Sequence, residues 1–362
     1  MNKTIFIIVC ILCYSSANCQ VRQSEDLIKK FNDEPEKLNI LIDTRFDLQG
    51  AIQNKKVNDR TFYADLLKVA FTGSITPKIH YLFRQRLNKP QNPNTRDGLS
   101  DATDFAWISF DVDDNWNIKA GKQSINFGTF EYNYNLADVF LPTMIYSDLV
   151  SNEIGVNVAY KTKNQVLNLQ VLNSPDPQFA SQIYENKALA STFLWEGSLW
   201  KGIYKTRWGT GLFQHTKHRY YNWITIGNQI NIDKFIIEAD YYEGYRNMNY
   251  GSVVDDDNLG LRYVHDQAVS LKFMYNLEKW RPFIKSIWSN RFDKVFNKEA
   301  YKIYGIEAVA EYYPFTDPKT KNLRFHAAYM FSSTQVNKGL VQVSDTNEHR
   351  FLVGVRWLFK VK

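Results

Sequence analysis

The chain of 362 residues carries 44 Lys and Arg against 38 Asp and Glu, a formal charge of +6, and 15% of it is aromatic, chiefly 24 Phe and 22 Tyr. Beyond its first residues no apolar run approaches the ~20 residues of a membrane-spanning helix, which excludes a helical membrane protein. The basic residues are scattered rather than clustered, so the positive balance leaves no nucleic-acid footprint.

Met1-Asn2-Lys3, the apolar run Ile5 to Leu12 and the small residues Ser15, Ser16 and Ala17 read as a secretory signal over residues 1–19. Cys10, Cys13 and Cys19 all lie inside it, so with cleavage after Cys19 the exported chain is expected to hold no disulfide and no cysteine-bound metal; the rival reading makes Cys19 a lipidated cysteine. Residues 20–37 read as a periplasmic lead-in. From residue 38 to 362 the dominant signal is period-2 alternation. Ile40, Ile42, Thr44, Phe46 and Leu48 interleave with Asp43, Arg45 and Asp47; a second strand near 61–73 sets Leu67, Val69 and Phe71 on one face.

The third strand, about 78–87, opposes Ile79, Tyr81 and Phe83 to Lys78, His80, Arg84 and Arg86. On a lipid-facing wall such cations would each cost roughly 2–4 kcal/mol near the midplane, so a barrel requires them to face a wet lumen. After a polar loop from Asn88 to Asp101, a fourth strand alternates Ala106, Ile108 and Phe110 with Trp107, Ser109 and Asp111, and a fifth turns Trp116, Ile118 and Ala120 outward and Asn117, Lys119 and Gln123 inward. The longest break follows, 124–151, holding Glu131, Tyr132, Tyr134, Asp138 and Asp148 and no Lys or Arg. A loop of that length in a compact fold is usually functional. Ten further strands are legible: around 154–160, 167–171, 190–201, 206–215, 220–230, 234–245, 264–275, 280–290, 304–312 and 323–331, before the last at 350–359. Gly209 and Gly211 mark a place of close backbone approach or bending.

In the closing stretch Phe351, Val353, Val355, Trp357 and Phe359 alternate with Arg350, Leu352, Gly354, Arg356 and Leu358. It resembles the terminal strand of bacterial outer-membrane barrels, whose pattern stops at the aromatic, whereas this chain runs on through Lys360, Val361 and Lys362. The count is sixteen. Long polar loops are expected after strands one, three, five, seven, eleven, thirteen and fifteen and short turns after the even ones, the rhythm of an all-β transmembrane antiparallel barrel with long outer loops and short periplasmic turns. The rival fold is a soluble secreted β-sheet binding protein, an adhesin or carbohydrate binder, with its apolar faces buried between sheets. A barrel hydrolase is the remoter alternative: six histidines form no nucleophile and base motif, and no catalytic residue is assigned.

Strand count and the run Ile118-Lys119-Ala120-Gly121-Lys122-Gln123-Ser124-Ile125-Asn126-Phe127-Gly128 resemble the sixteen-stranded porins of the phosphate- and polyphosphate-selective type. The resemblance implies a passive outer-membrane channel, homotrimeric, with the 124–151 loop folded back to narrow the lumen. Its partners are then outer-membrane lipid and small solutes or anions, with no cofactor. Parity places Lys78, His80, Arg84, Arg86, Lys119, Arg324, His326, Arg350 and Arg356 inward as one basic wall, opposed by Asp43, Asp47, Glu238, Asp240, Glu307 and Glu311 and by the loop's own carboxylates. Tyr132 and Tyr134 offer stacking faces for sugars as another reading. No metal site is assigned: His215 and His218 lack a third ligand, and Asp255-Asp256-Asp257 reads as a solvated acidic turn.

Overall fold

The computed structural model describes residues 37–89, 98–174, 188–216, 219–249, 261–317, 320–340 and 344–361. The signal at 1–19, the lead-in as far as residue 36, the Asp255-Asp256-Asp257 turn and the side chains of His215 and His218 lie outside the described residues.

Among the described residues sixteen strands make one sheet. They are β1 (Asn39–Gln53), β2 (Lys56–Thr76), β3 (Ile79–Arg86), β4 (Thr103–Asp111), β5 (Trp116–Ser124), β6 (Asn152–Lys161), β7 (Gln165–Asn173) and β8 (Leu189–Leu199). The second half comprises β9 (Tyr204–Thr216), β10 (Arg219–Ile232), β11 (Phe235–Asn249), β12 (Leu261–Tyr275), β13 (Trp280–Asp293), β14 (Lys298–Tyr312), β15 (Leu323–Val336) and β16 (Thr346–Lys360). Each strand pairs antiparallel with its chain neighbours, and β1 pairs with β16 in the register Thr44 to Trp357, which closes the barrel. Closure leaves no unpaired edge, the condition a sheet must meet in hydrocarbon. Among the described residues no helix is long and apolar enough to cross a membrane; the crossing elements are strands.

The alternation in the sequence becomes an inside-out distribution. On β7 Leu167, Leu169 and Val171 are exposed, while Asn168, Gln170 and Leu172 are buried. Charged Lys68, Asp266, Arg291 and Glu307 are almost fully buried, whereas Phe46, Ile108, Leu169 and Val353 stand on the outer surface. A soluble sandwich would show the reverse. The outer wall therefore meets lipid, and aromatic pairs ring the end that carries the even-numbered turns: Trp116 with Tyr160 (4.8 Å between centroids), Phe235 with Tyr275 (4.5 Å), Trp280 with Tyr312 (4.6 Å) and Trp357 with Phe359 (4.2 Å). Such a girdle belongs at a membrane interface.

The loop rhythm holds with corrections. Long connections follow β3 (87–102), β5 (125–151), β7 (174–188), β11 (250–260) and β15 (337–345). The expected long loops after the first and thirteenth strands are instead a two-residue turn at Asn54-Lys55 and a short one at 294–297, because β1, β2, β13 and β14 continue as strand through residues read as loop. Asn54 and Lys55 both have positive φ, 48° and 68°, the twist that suits a tight hairpin. The connection after β14, 313–322, is in turn longer than the few residues expected.

Candidate functional site

Residues 125–151 fold into the barrel interior. Their apolar side chains are anchors: Phe127 packs on Trp223 (3.8 Å between centroids), Phe213 and Tyr132, while Ile125, Met144 and Ile145 join Val264 and Tyr301 in one buried cluster. Phe140 enters a second with Ile236, Phe283 and Met330. A short helix, α1 (Met144–Asp148), is capped by the Thr143 side chain, which accepts from the Tyr146 amide. Where the segment leaves β5 its backbone lies directly on the wall. A Cβ added to Gly128 would meet Thr225 Oγ1 at 2.2 Å, the Arg207 carbonyl at 2.7 Å and the Gly209 amide nitrogen at 2.9 Å. Gly128 and Gly209 thus form one seam, which is the physical content of the Phe127-Gly128 pair and of the close approach expected at Gly209.

Every carboxylate of the segment is met by a cation of the wall. Lys285 Nζ donates to Glu131 Oε1 at 2.8 Å, and the Thr143 hydroxyl donates to Oε2 at 2.6 Å. Asp138 receives Arg324 at 2.6 Å and Arg356 at 2.5 Å, and those arginines also hold Glu311 and Asp43. Burial pushes the Asp138 carboxyl up, but Arg356, Arg324 and Arg281 outweigh it and hold the group well below the usual carboxylate range. Asp148 receives Arg291 at 2.8 Å and Arg246 at 3.2 Å. The wall's own acids receive the segment in turn: Asp240 accepts the amides of Phe130 (2.9 Å) and Glu131 (2.8 Å), Glu238 accepts the Tyr134 hydroxyl, and Asp43 accepts Asn135 Nδ2 at 2.8 Å. The segment is thereby fixed to β9–β16 and β1.

Beside it a cavity of about 130 Å³ lies against β2–β9. Lys68, Arg84, Arg86, Lys119 and Arg207 line it, with Glu196 as the one carboxylate among the described lining residues. Lys68, Arg84 and Arg86 surround Asp104 at 3.4, 3.1 and 2.9 Å, three cations on one acid. Arg84 lies over the Phe105 ring at 3.9 Å and Lys119 over Trp107 at 4.8 Å. Tyr132, Tyr134, Tyr146 and a set of asparagines also line it.

Arg84, Arg86, Lys119, Tyr132 and Tyr134 are therefore brought together, and the other expected residues are not. Lys78 precedes β3 in an exposed turn, where its ammonium donates to the Val112 carbonyl at 3.3 Å. His80 points inward but is held between Ser74 (2.7 Å) and Asp111 (2.9 Å). Arg350 pairs with Glu348 at the outer end of β16, and Arg324 and Arg356 lie beneath the inserted segment. Among the described residues there is no continuous basic wall facing an acidic loop, since Glu131, Asp138 and Asp148 are neutralised by wall cations. His326 is likewise occupied, at 2.8 Å from Asp47. Lys68 and Arg207 were missed, although their inward parity was legible in the strands that carry them.

No curated protein sequence matches the chain. A family profile described as phosphate-selective porin O and P matches residues 37–248. Among solved structures, the outer membrane channel DcaP of Acinetobacter baumannii superposes with a TM-score of 0.61 at 13% identity, covering 88% of this chain and 97% of that one. In-vitro folded OmpT of Vibrio cholerae in its trimer form gives 0.59 at 12%, covering 90% and 100%, and OmpF of Salmonella typhi in complex with daunomycin gives 0.57 at 13%, covering 91% and 99%. At these identities the structures speak for the fold, and the profile, which spans more than half of the residues, speaks for the family. The chain belongs to the family of phosphate-selective porins O and P, and is an outer-membrane porin for the passive diffusion of small hydrophilic solutes.

Proposed function

We propose that this porin passes anions in preference to cations along the cavity beside the inserted segment, and that it does so as a homotrimer. The observation that carries the preference is the five cations against one carboxylate among the described lining residues, an excess that Asp104, behind three of the cations, only partly offsets. A wet passage walled by low-dielectric protein focuses the field of such an excess, raising the local concentration of anions while leaving them free to depart. Arg84 and Arg86 supply it most directly, each sharing Asp104 with two further cations.

The trimer is supported by the likeness to OmpT, whose trimer form it matches over 90% of this chain, and by an uneven wall. β3 has 8 residues and β4, β5 and β7 have 9 each, whereas β11, β12 and β14 have 15. At ~3.3 Å per residue and a tilt near 40°, an eight-residue strand rises only about 20 Å, short of the ~25 Å apolar band. A low wall is better covered by protein than by lipid.

The test is a planar-bilayer recording in a potassium chloride gradient. The reversal potential is expected to move toward the chloride equilibrium potential, and Arg84→Ala with Arg86→Ala to move it back; a shift toward potassium in the unmodified protein overturns the preference. Light scattering in detergent then weighs the particle, with the mass of three chains expected and that of one chain contradicting the assembly.

A further inference from the structure

The cavity has two unlike faces, and the difference bears on which anions fit. Lys68, Arg84, Arg86 and Lys119, from β2, β3 and β5, make the first. The second, from the inserted segment and β6–β9, is a chain of side-chain amides: Asn126 Nδ2 donates to Asn157 Oδ1 at 2.8 Å, Asn157 Nδ2 to Asn168 Oδ1 at 3.3 Å, and Asn168 Nδ2 to Glu196 Oε2 at 3.2 Å. Glu196 in turn pairs with Arg207.

A bare oxyanion presents acceptors in every direction and is best served by donors on all sides. Here the second face meets it with amide carbonyl oxygens beside its N–H groups and with a Glu196 carboxylate that already shares Arg207, so only part of that face can serve it. A hydroxyl group, by contrast, both donates and accepts. Each side-chain amide has two N–H donors and two acceptor lone pairs, and Asn157 and Asn168 each use one donor and one acceptor within the chain, so both kinds of site can turn to a solute hydroxyl. We propose that the solute fitted to this passage is a hydroxylated organic anion, a polyol bearing one phosphate or carboxylate, whose charge lies along the cations and whose hydroxyls lie along the amides. The assignment rests on the anion-preferring reading above and narrows it from charge to shape.

Glucose 6-phosphate, inorganic phosphate and glucose serve as probes, each titrated against the chloride current of the full porin in a planar bilayer. Glucose 6-phosphate is expected to halve the current at a concentration at least tenfold below that needed for either of the others. Equal or stronger block by inorganic phosphate, in a channel that prefers chloride in the gradient, overturns this inference alone; absence of chloride preference overturns the earlier reading instead. Asn157→Leu and Asn168→Leu are expected to weaken glucose 6-phosphate block about tenfold, with heat-modifiable gel mobility reporting that the barrel has formed. Undiminished block in both folded variants also overturns the inference. Should the leucine variants fail to form barrels, the comparison of the three probes on the unmodified porin decides it.

Discussion

Arg291→Ala is expected to produce the largest loss of stability available from a single wall residue. Arg291 is fully buried, at 0% exposure, and its guanidinium donates to both oxygens of Asp266 (2.7 and 2.9 Å), to Asp148 at 2.8 Å and to the Tyr301 hydroxyl. Truncation leaves two buried carboxylates to share Arg246. Breaking one side of a buried ionic group costs about 3–5 kcal/mol, chiefly because the partner charge remains unsatisfied. Asp148 ends α1, so the cost falls on the seat of the inserted segment as well as on the wall. A lower temperature of the heat-modifiable gel transition and a raised, noisier single-channel conductance are the expected readings. An unchanged transition would mean that the Arg291 network contributes nothing net. Arg291→Lys is expected to recover part of the loss, since it restores the charge but not the fork that binds Asp266 through two nitrogens.

Gly128→Val is expected to unseat the same segment from its other end. The added carbon would lie 2.2 Å from Thr225 Oγ1 and inside 3 Å of backbone atoms of both Arg207 and Gly209. The hydroxyl can rotate away, but the backbone of β9 cannot move without breaking ladder bonds. Overpacking of this kind costs typically 1–3 kcal/mol, and two fixed backbone contacts place this case at the upper end. Because the neighbouring Phe127 anchor then loses its place on Trp223, the conductance is expected to rise while the barrel itself survives. Conductance equal to that of the unmodified porin would show that the Gly128 seam does not position the segment. Combining it with Arg291→Ala separates the two ends: additive losses mean that they are seated independently, and a smaller combined loss means that they detach as one body.

Much of this was readable from period-2 alternation alone. All sixteen strands lie where the pattern put them, since burying one face of a strand leaves a residue-by-residue trace and a slip of one position would invert every side chain. The errors came where parity is silent. Height along a strand is not encoded in it, so Lys78 and Arg350, both inward by alternation, sit at opposite rims instead of on the cavity. Nor does it say who meets whom across the lumen. Asp138 finds Arg324 and Arg356 only because closure and the entering segment bring residues from opposite ends of the chain together, and no local feature around 138 announces either partner. Those ion pairs are what turned an expected acidic loop into a neutral one and moved the excess charge to Lys68, Arg84, Arg86, Lys119 and Arg207. The first loop was misread for a simpler reason: β1 and β2 run past the apolar band as polar strand, and polar composition there resembles a loop.

The measurement that bears most directly on the whole account is the accessibility of single cysteines introduced after residue 19, a stretch that holds none of its own. In porin reconstituted into vesicles, Arg86→Cys and Lys119→Cys are expected to react rapidly with a membrane-impermeant, water-soluble thiol reagent and to lose current as they do. Ile284→Cys and Ile306→Cys, exposed on the tall outer wall of β13 and β14, are expected to stay unreactive until the lipid is dissolved. Rapid reaction at 284 and 306 with protection at 86 and 119 would contradict the account, because water would then lie on the face assigned to lipid.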